Sequence, residues 1–174
     1  MDEHGQIGEL AGHHLVVMGV AGSGKSTVGE ALAATLGVPF AEGDDFHSDE
    51  ARAKMAAGVP LTDADRWPWL DRLVAWMDGH ADTGCVVSCS ALRHAYRDRL
   101  RAASGVVECY ELDVDPDDLR QRMAQRVGHY MPVELLESQL ATLEPLDAGE
   151  GVRLDGTLPV ADLVTAILEA RRTR

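Results

Sequence analysis

The sequence contains, at positions 19–26, the stretch Gly19-Val20-Ala21-Gly22-Ser23-Gly24-Lys25-Ser26, which matches the complete P-loop pattern G-x-x-x-x-G-K-S. Residues 15–18 before it are an apolar run suited to a buried parallel strand, and residues 27–36 after it keep apolar side chains at helical spacing. A strand, a loop and a helix in this order are the context that the motif requires. The sequence therefore predicts a site for a nucleoside triphosphate.

The residue types of the motif suit ATP and its Mg²⁺ ion. Glycines allow a tight turn in which successive backbone N–H groups point into one concavity, and the following helix N-terminus adds partial positive charge. Lys25 is expected to reach the β- and γ-phosphates, and the Ser26 hydroxyl to ligate Mg²⁺. The loop residues predicted to bind the nucleotide are Gly19, Ala21, Gly22, Ser23, Gly24, Lys25, Ser26 and Thr27.

Length and charge exclude several classes of protein. A chain of 174 residues suits one α/β domain, and its net charge of −13 argues against a nucleic-acid partner. No window reaches the roughly 18 apolar residues of a membrane span. The three cysteines lack metal-ligand spacing and fit buried thiols in a reducing cytoplasm. We expect a cytoplasmic protein without a membrane partner, in which a flexible tail, residues 1–12, precedes a single P-loop domain, residues 13–174.

Strand and helix patterns alternate along the chain. Strands are predicted at 15–18, 38–41, 85–89, 106–112 and 151–154, and helices at 27–36, 49–57, 62–79, 92–103, 115–127, 132–143 and 160–172. This order predicts a three-layer P-loop NTPase fold, with a five-stranded parallel sheet, helices on both faces and a helical lid at about 116–143. Ligands of such sheets bind where the strands end, here at 19–26, 42–47, 88–93 and 155–159. The last of these loops is placed to hold adenine.

Other patterns narrow the class of nucleotide-binding protein. The chain has no asparagine, which excludes the Asn-Lys-x-Asp element of guanine-specific switches, and the third strand ends Val87-Ser88-Cys89-Ser90 without the acid typical of motor ATPases. Small-molecule kinases remain. Glu42 and Asp44 follow the second strand and would lie on one side of it if the chain stays extended. One carboxylate could then organise the water shell of the metal while the other accepts a proton from the acceptor hydroxyl.

Further segments of the chain form an ordered pattern: 42–47, 54–70, 88–92, 96–98, 128–132, 135–139 and 143–145. In this order they resemble the gluconokinase family, and the resemblance extends from about residue 15 to 170. The resemblance implies ATP-dependent phosphorylation of D-gluconate at its 6-hydroxyl, and it makes a homodimer plausible. Three positions depart from the family pattern: Ser48 and Leu146 stand where proline is usual, and Ala51 where asparagine is usual. A kinase of the same fold for shikimate or another sugar acid, or a non-catalytic nucleotide-binding regulator, therefore stays an alternative.

Similarity to this and related kinases suggests roles for further residues. Asp44 would position and deprotonate the 6-hydroxyl, and Glu42 would hold Mg²⁺ through water. Arg122 and Arg126, four apart on the lid helix, would contact adenine or phosphates, and one of them would neutralise charge on the transferred group. A plain surface helix is the alternative. The substrate is expected to meet Asp44, His47, Arg66, Ser90, Arg97 and His129. His47 could instead be structural, and Arg97 could belong to a solvated helix face. The catalytic residues predicted are Lys25, Asp44 and Arg126.

Overall fold

Five parallel strands form the centre of the protein, in a computed structural model that describes residues 10–125 and 132–174. Their order across the sheet is β2-β3-β1-β4-β5. The strands are β1 (His13–Met18), β2 (Phe40–Glu42), β3 (Cys85–Cys89), β4 (Val106–Asp113) and β5 (Gly151–Asp155). The helices are α1 (Lys25–Leu36), α2 (Asp49–Ala56), α3 (Asp63–Asp78), α4 (His94–Leu100), α5 (Pro116–Gln125), α6 (Val133–Thr142) and α7 (Val160–Arg172). The predicted three-layer fold is confirmed.

The central strand β1 is apolar on both faces because helices cover both faces of the sheet. Leu15 and Val17 pack in a cluster with side chains of α1 and α7, whereas Val16 and Met18 pack in a second cluster with side chains of α3 and α4. All four side chains are fully buried. Two separate cores therefore hold the sheet between its helical layers. The loops at the carboxyl ends of the strands are then available to form a site.

Two sequence expectations about helix and domain boundaries have different outcomes. Helix α3 begins next to Thr62, where the sequence predicts its start, and Thr62 caps it in a reciprocal capping box with Asp65. The predicted tail, in contrast, is too long: Leu10 is fully buried in the core, and the Gly12 amide donates a hydrogen bond to the Ala81 carbonyl. The domain therefore begins by residue 10, and residues 1–9 of the predicted tail lie outside the described residues. In the described part of the chain, no helix combines the length and apolarity needed to cross a membrane.

Candidate active site

The P-loop lies between the carboxyl end of β1 and the start of α1, as the sequence predicts. Gly19 and Gly24 have positive φ angles of 152° and 91°, a conformation that side chains disfavour. A Cβ atom at Gly19 would stand 2.6 Å from Ser23 Oγ. The cavity above this loop is lined by Ala21, Gly22, Gly24, Lys25, Ser26, Thr27 and Asp44. Six of the eight predicted loop residues, all except Gly19 and Ser23, thus line one concavity, which we call the phosphate cavity.

A second cavity adjoins the first and has the mixed lining that suits a polyol with one charged end. Its polar side chains include Asp44, His47, Arg66, Ser90, Ser138 and Gln139, and its apolar wall includes Trp69 and Leu135. We call it the acceptor cavity. Ala21, Lys25 and Asp44 line both cavities. A group held in the phosphate cavity would therefore meet a group held in the acceptor cavity at these three residues.

Asp44 reaches this junction through a turn that the sequence reading missed. The chain does not stay extended after β2: residues Gly43–Phe46 form a 3₁₀ turn, so Glu42 and Asp44 do not share one side of a strand. Trp69 Nε1 donates a 2.7 Å hydrogen bond to the Gly43 carbonyl. A Cβ atom at Gly43 would overlap the Ser88 carbonyl oxygen, so only glycine allows the turn to approach β3 this closely. The Asp44 side chain remains 62% exposed and faces both cavities.

Glu42 occupies a different position from Asp44. Its carboxylate accepts a 2.9 Å hydrogen bond from Ser88 Oγ and caps the 3₁₀ turn at the Asp44 amide, 3.5 Å away. Glu42 is not among the residues that line the two cavities. The structure therefore gives Glu42 a clear role in joining β2 to β3, and leaves its part in holding a metal as a prediction.

His47 contributes a neutral ring to the acceptor cavity. Its side chain is 4% exposed and stacks on Trp69 with ring centroids 4.2 Å apart. Burial lowers the pKa of His47 from 6.5 to about 4, against the opposing effect of the Asp44 carboxylate. Nε2 lies 4.0 Å from Asp44 Oδ1, and Nδ1 has no hydrogen-bond partner among the described residues. An uncharged imidazole with an unused nitrogen is suited to bonding a hydroxyl group.

Among the described residues, Arg66 is the arginine that lines the acceptor cavity. Its side chain is 12% exposed, and its guanidinium lies 5.2 Å from the centroid of the Tyr96 ring. It donates a 2.9 Å hydrogen bond to the Tyr96 hydroxyl, which in turn donates to Asp63. Tyr96, which the sequence analysis did not single out, therefore orients the charge that Arg66 offers to an anionic ligand.

Arg97 does not lie in the cavity, and both sequence expectations for it are wrong. Its side chain is fully buried: it donates to Glu150 at 3.0 and 2.9 Å and to the Ala91 carbonyl at 2.9 Å. Burial opposes ionisation of Glu150, yet hydrogen bonds from Arg97, His94 and the Asp147 amide lower its pKa to about 2. Arg97 thus supports the loop after β3, where Ala91 has a positive φ of 43° and Ser90 faces the acceptor cavity.

Comparisons with known proteins agree with this geometry. A family model described as "AAA domain" matches residues 15–146. A gluconokinase of Gluconobacter oxydans (strain 621H) is 45% identical over 159 residues, which cover 90% of this chain and 89% of that protein. The thermosensitive gluconokinase of Escherichia coli (strain K12) is 41% identical over 174 residues, with 95% and 92% covered. This chain belongs to the gluconokinase family.

Solved structures place the fold among kinases. A gluconokinase from Sinorhizobium meliloti 1021 shares 44% identity and superposes with a TM-score of 0.82, covering 92% of this chain and 91% of that one. A shikimate kinase from Bacteroides thetaiotaomicron superposes with a TM-score of 0.67 at 18% identity, which shows a shared fold alone. The gluconokinase relatives therefore carry the family assignment, and the more distant kinases confirm the architecture.

The segment predicted to be a lid, at about 116–143, is described in part in this chain of the gluconokinase family. Arg122 on α5 donates to the Gly22 carbonyl of the P-loop at 3.1 Å and to the Gly156 carbonyl after β5 at 3.3 Å. It therefore joins the P-loop to the loop predicted to hold adenine, and its contact with the nucleotide stays a prediction. Arg126 and His129, the other predicted lid residues, lie outside the described residues.

Gln139 on α6 is a site residue that sequence reasoning missed. Its side-chain oxygen accepts a 2.7 Å hydrogen bond from the Ala21 amide of the P-loop. In the sequence it appeared only as the last residue of segment 135–139, which is part of the gluconokinase resemblance. A lone glutamine on an amphipathic helix carries no chemical pattern of its own, so only the tertiary structure shows where it points.

Proposed function

We propose that the protein transfers the γ-phosphoryl group of ATP to the 6-hydroxyl of D-gluconate, giving 6-phospho-D-gluconate and ADP. The observation that carries this proposal is the junction of the two cavities at Ala21, Lys25 and Asp44. The relatives named gluconokinase, at 41–45% identity over most of the chain, support the choice of acceptor.

The reaction needs positioning and charge neutralisation more than covalent help from the protein. The 6-hydroxyl would give its proton to Asp44 as its oxygen forms a bond to the γ-phosphorus. The bond between that phosphorus and the β,γ-bridging oxygen would break, and ADP would leave. Lys25 would offset negative charge on the phosphates, and Arg66 would pair with the gluconate carboxylate. Arg126 is proposed to add a second positive charge when the lid segment is in place.

The oxygen ligands of the phosphate cavity fit Mg²⁺. The Ser26 hydroxyl and the Asp44 carboxylate line one cavity, and Mg²⁺ prefers such hard oxygen ligands. Ser26 would hold the ion directly, and Glu42 would hold it through water. The bound ion would neutralise charge on the β- and γ-phosphates.

The departures at Ser48 and Ala51 do not favour another acceptor. The Ser48 hydroxyl accepts a 3.1 Å hydrogen bond from the Ala51 amide and caps α2, and Ala51 is 4% exposed. Neither residue is among those that line the acceptor cavity. The two substitutions therefore alter how α2 begins, away from the substrate, and the proposal for gluconate stands over shikimate or another sugar acid.

The test is ADP release with MgATP and a panel of D-gluconate, other sugar acids and shikimate. We expect gluconate to give the highest kcat/KM. A rate confined to another acceptor would overturn the assignment, and no acceptor-dependent rate would favour a nucleotide-binding regulator.

Substitution of Asp44 tests the proposed mechanism in the same assay. Asp44→Asn keeps the shape but removes the proton acceptor, so kcat should fall by about 10²–10⁴ while ATP affinity stays within a few-fold. The matched control is Asp45→Asn at the neighbouring exposed position, expected within twofold of the unaltered protein. Full turnover in Asp44→Asn would remove Asp44 from the role of base.

Two coarser proposals concern the protein in its cell. The three cysteines are free and buried, which supports a reducing compartment such as the cytoplasm. A homodimer is proposed from the family resemblance alone, and sedimentation equilibrium would test it.

A further inference from the structure

The side chain of Gln139 on helix α6 contacts the P-loop. The Ala21 amide donates to it over 2.7 Å. A backbone N–H can only donate, so the atom that faces it must be the carboxamide oxygen. This hydrogen bond fixes the orientation of the carboxamide, and its NH₂ group points away from the Ala21 amide. Among residues 10–125 and 132–174, no protein acceptor takes a hydrogen bond from this NH₂ group.

The position of Gln139 matters because Ala21 is part of the junction. Ala21, Lys25 and Asp44 line both cavities, so a phosphoryl group in transit would lie among them. Gln139 itself lines the acceptor cavity. A neutral donor at this point would bond a phosphoryl oxygen without changing the net charge of the site.

Helix α6 is held independently of Gln139. Arg120 of α5 donates to both carboxylate oxygens of Glu137 at 2.6 and 3.1 Å. Leu136 is buried, and the Glu144 amide after the helix donates to the Leu92 carbonyl at 2.7 Å. Because packing and hydrogen bonds fix the helix on both sides of Gln139, its side chain needs little reorganisation to act as a donor.

We propose that Gln139 is a catalytic residue of the transfer step: its oxygen stays on the Ala21 amide while its NH₂ group donates to an oxygen of the transferred phosphoryl group. This proposal rests on the proposed function, since it requires that a phosphoryl group crosses the junction. It differs from a purely structural role, in which Gln139 only ties α6 to the P-loop through its oxygen.

Two substitutions separate these roles. Gln139→Glu retains an oxygen for the Ala21 amide and replaces the NH₂ donor, whereas Gln139→Met keeps the length and removes both polar ends. Gln121→Glu and Gln121→Met are matched controls, because Gln121 is exposed on the neighbouring helix α5. The measurements are kcat with gluconate at saturating MgATP, and calorimetric affinity for MgADP with and without aluminium fluoride, which stands in for the transferred group.

If Gln139 donates in the transition state, both of its variants lose about a hundredfold or more in kcat. In Gln139→Met the aluminium fluoride complex weakens by a similar factor while MgADP alone binds within threefold of the unaltered protein. The Gln121 variants stay within twofold. Full kcat in either Gln139 variant overturns the proposal, as does a parallel loss of MgADP affinity and thermal stability in Gln139→Met. If the unaltered protein fails to phosphorylate gluconate, the proposed function fails, and the aluminium fluoride comparison still decides the role of Gln139.

Discussion

At the scale of single residues, neighbouring side chains set the charge of one group in the acceptor cavity and the orientation of another. Burial against Trp69 lowers the pKa of His47 and leaves its ring uncharged, whereas the Tyr96 hydroxyl orients the guanidinium of Arg66. A polyol with a carboxylate needs both properties, one neutral partner for hydroxyl groups and one cation for the charged end. The cavity therefore offers different chemistry at its two sides, with Lys25 and Arg66 as the two cations among the described residues that line it.

The burial of His47 also makes stability depend on pH. The pKa is about 4 in the folded protein and 6.5 as the ordinary value. Above both pKa values the ring is neutral in the folded and in the unfolded protein, so it adds no pH dependence to stability. As pH falls below 6.5 the unfolded chain takes up the proton first, so stability is lost progressively until pH reaches about 4, by up to about 3 kcal/mol. We expect urea unfolding to show this loss. In His47→Gln, the free energy of unfolding should lose the part of its pH dependence between pH 6.5 and 4 that comes from His47. An unchanged slope in the variant would contradict the neutral-ring assignment.

At the scale of elements, local patterns predicted most boundaries, and tertiary contacts decided the rest. Strand β3 and helix α7 occupy the residues predicted for them, 85–89 and 160–172, because hydrophobic spacing and flanking residues are local properties. The 3₁₀ turn at Gly43–Phe46 was missed because it depends on Trp69, which lies 26 residues away.

Arg97 shows that the orientation of a side chain can also depend on a residue that is distant in sequence. Four arginines on or beside α4 look alike in sequence, and the one that turns inward is selected by Glu150, 53 residues later. The P-loop and Asp44 could be assigned to the site from sequence because their motif or their place at a strand end is local. Gln139 and Tyr96 could not, since their roles come only from what lies opposite them in the fold.

The close approach of the turn after β2 to strand β3 predicts that a side chain at Gly43 destabilises the protein. Gly43→Ala would place a methyl group against the Ser88 carbonyl and push the turn away from β3. Because backbone cannot yield as a flexible side chain does, we expect a loss of about 1–3 kcal/mol in the free energy of unfolding and a displaced Asp44 with lower kcat. Gly79→Ala is the control: its methyl group would lie 3.4 Å from the Trp76 carbonyl at an exposed helix end, with little effect. Equal denaturation midpoints for the two variants would contradict the close approach of Gly43 to the Ser88 carbonyl.

At the scale of the whole molecule, a net charge of −13 must coexist with binding of two anions. The structure meets this demand locally. Lys25 and Arg66 face the cavities, and the P-loop adds backbone N–H groups, which carry partial positive charge without altering the net charge. The phosphate cavity therefore has Lys25 as its cation, and the acceptor cavity adds Arg66.

Ligand-dependent stability tests this division. A ligand at 100 times its Kd adds about 2.7 kcal/mol to the folded state, which corresponds to a rise in Tm of about 5–10 °C for a domain of this size. We expect MgADP and gluconate each to raise Tm in thermal scans of the unaltered protein. Lys25→Met should lose most of the MgADP shift, because Lys25 faces the phosphate cavity. Arg66→Met should lose most of the gluconate shift and keep the MgADP shift, because Arg66 lines only the acceptor cavity. Loss of both shifts in Arg66→Met, with its ligand-free Tm unchanged, would show that the two cavities bind as one site.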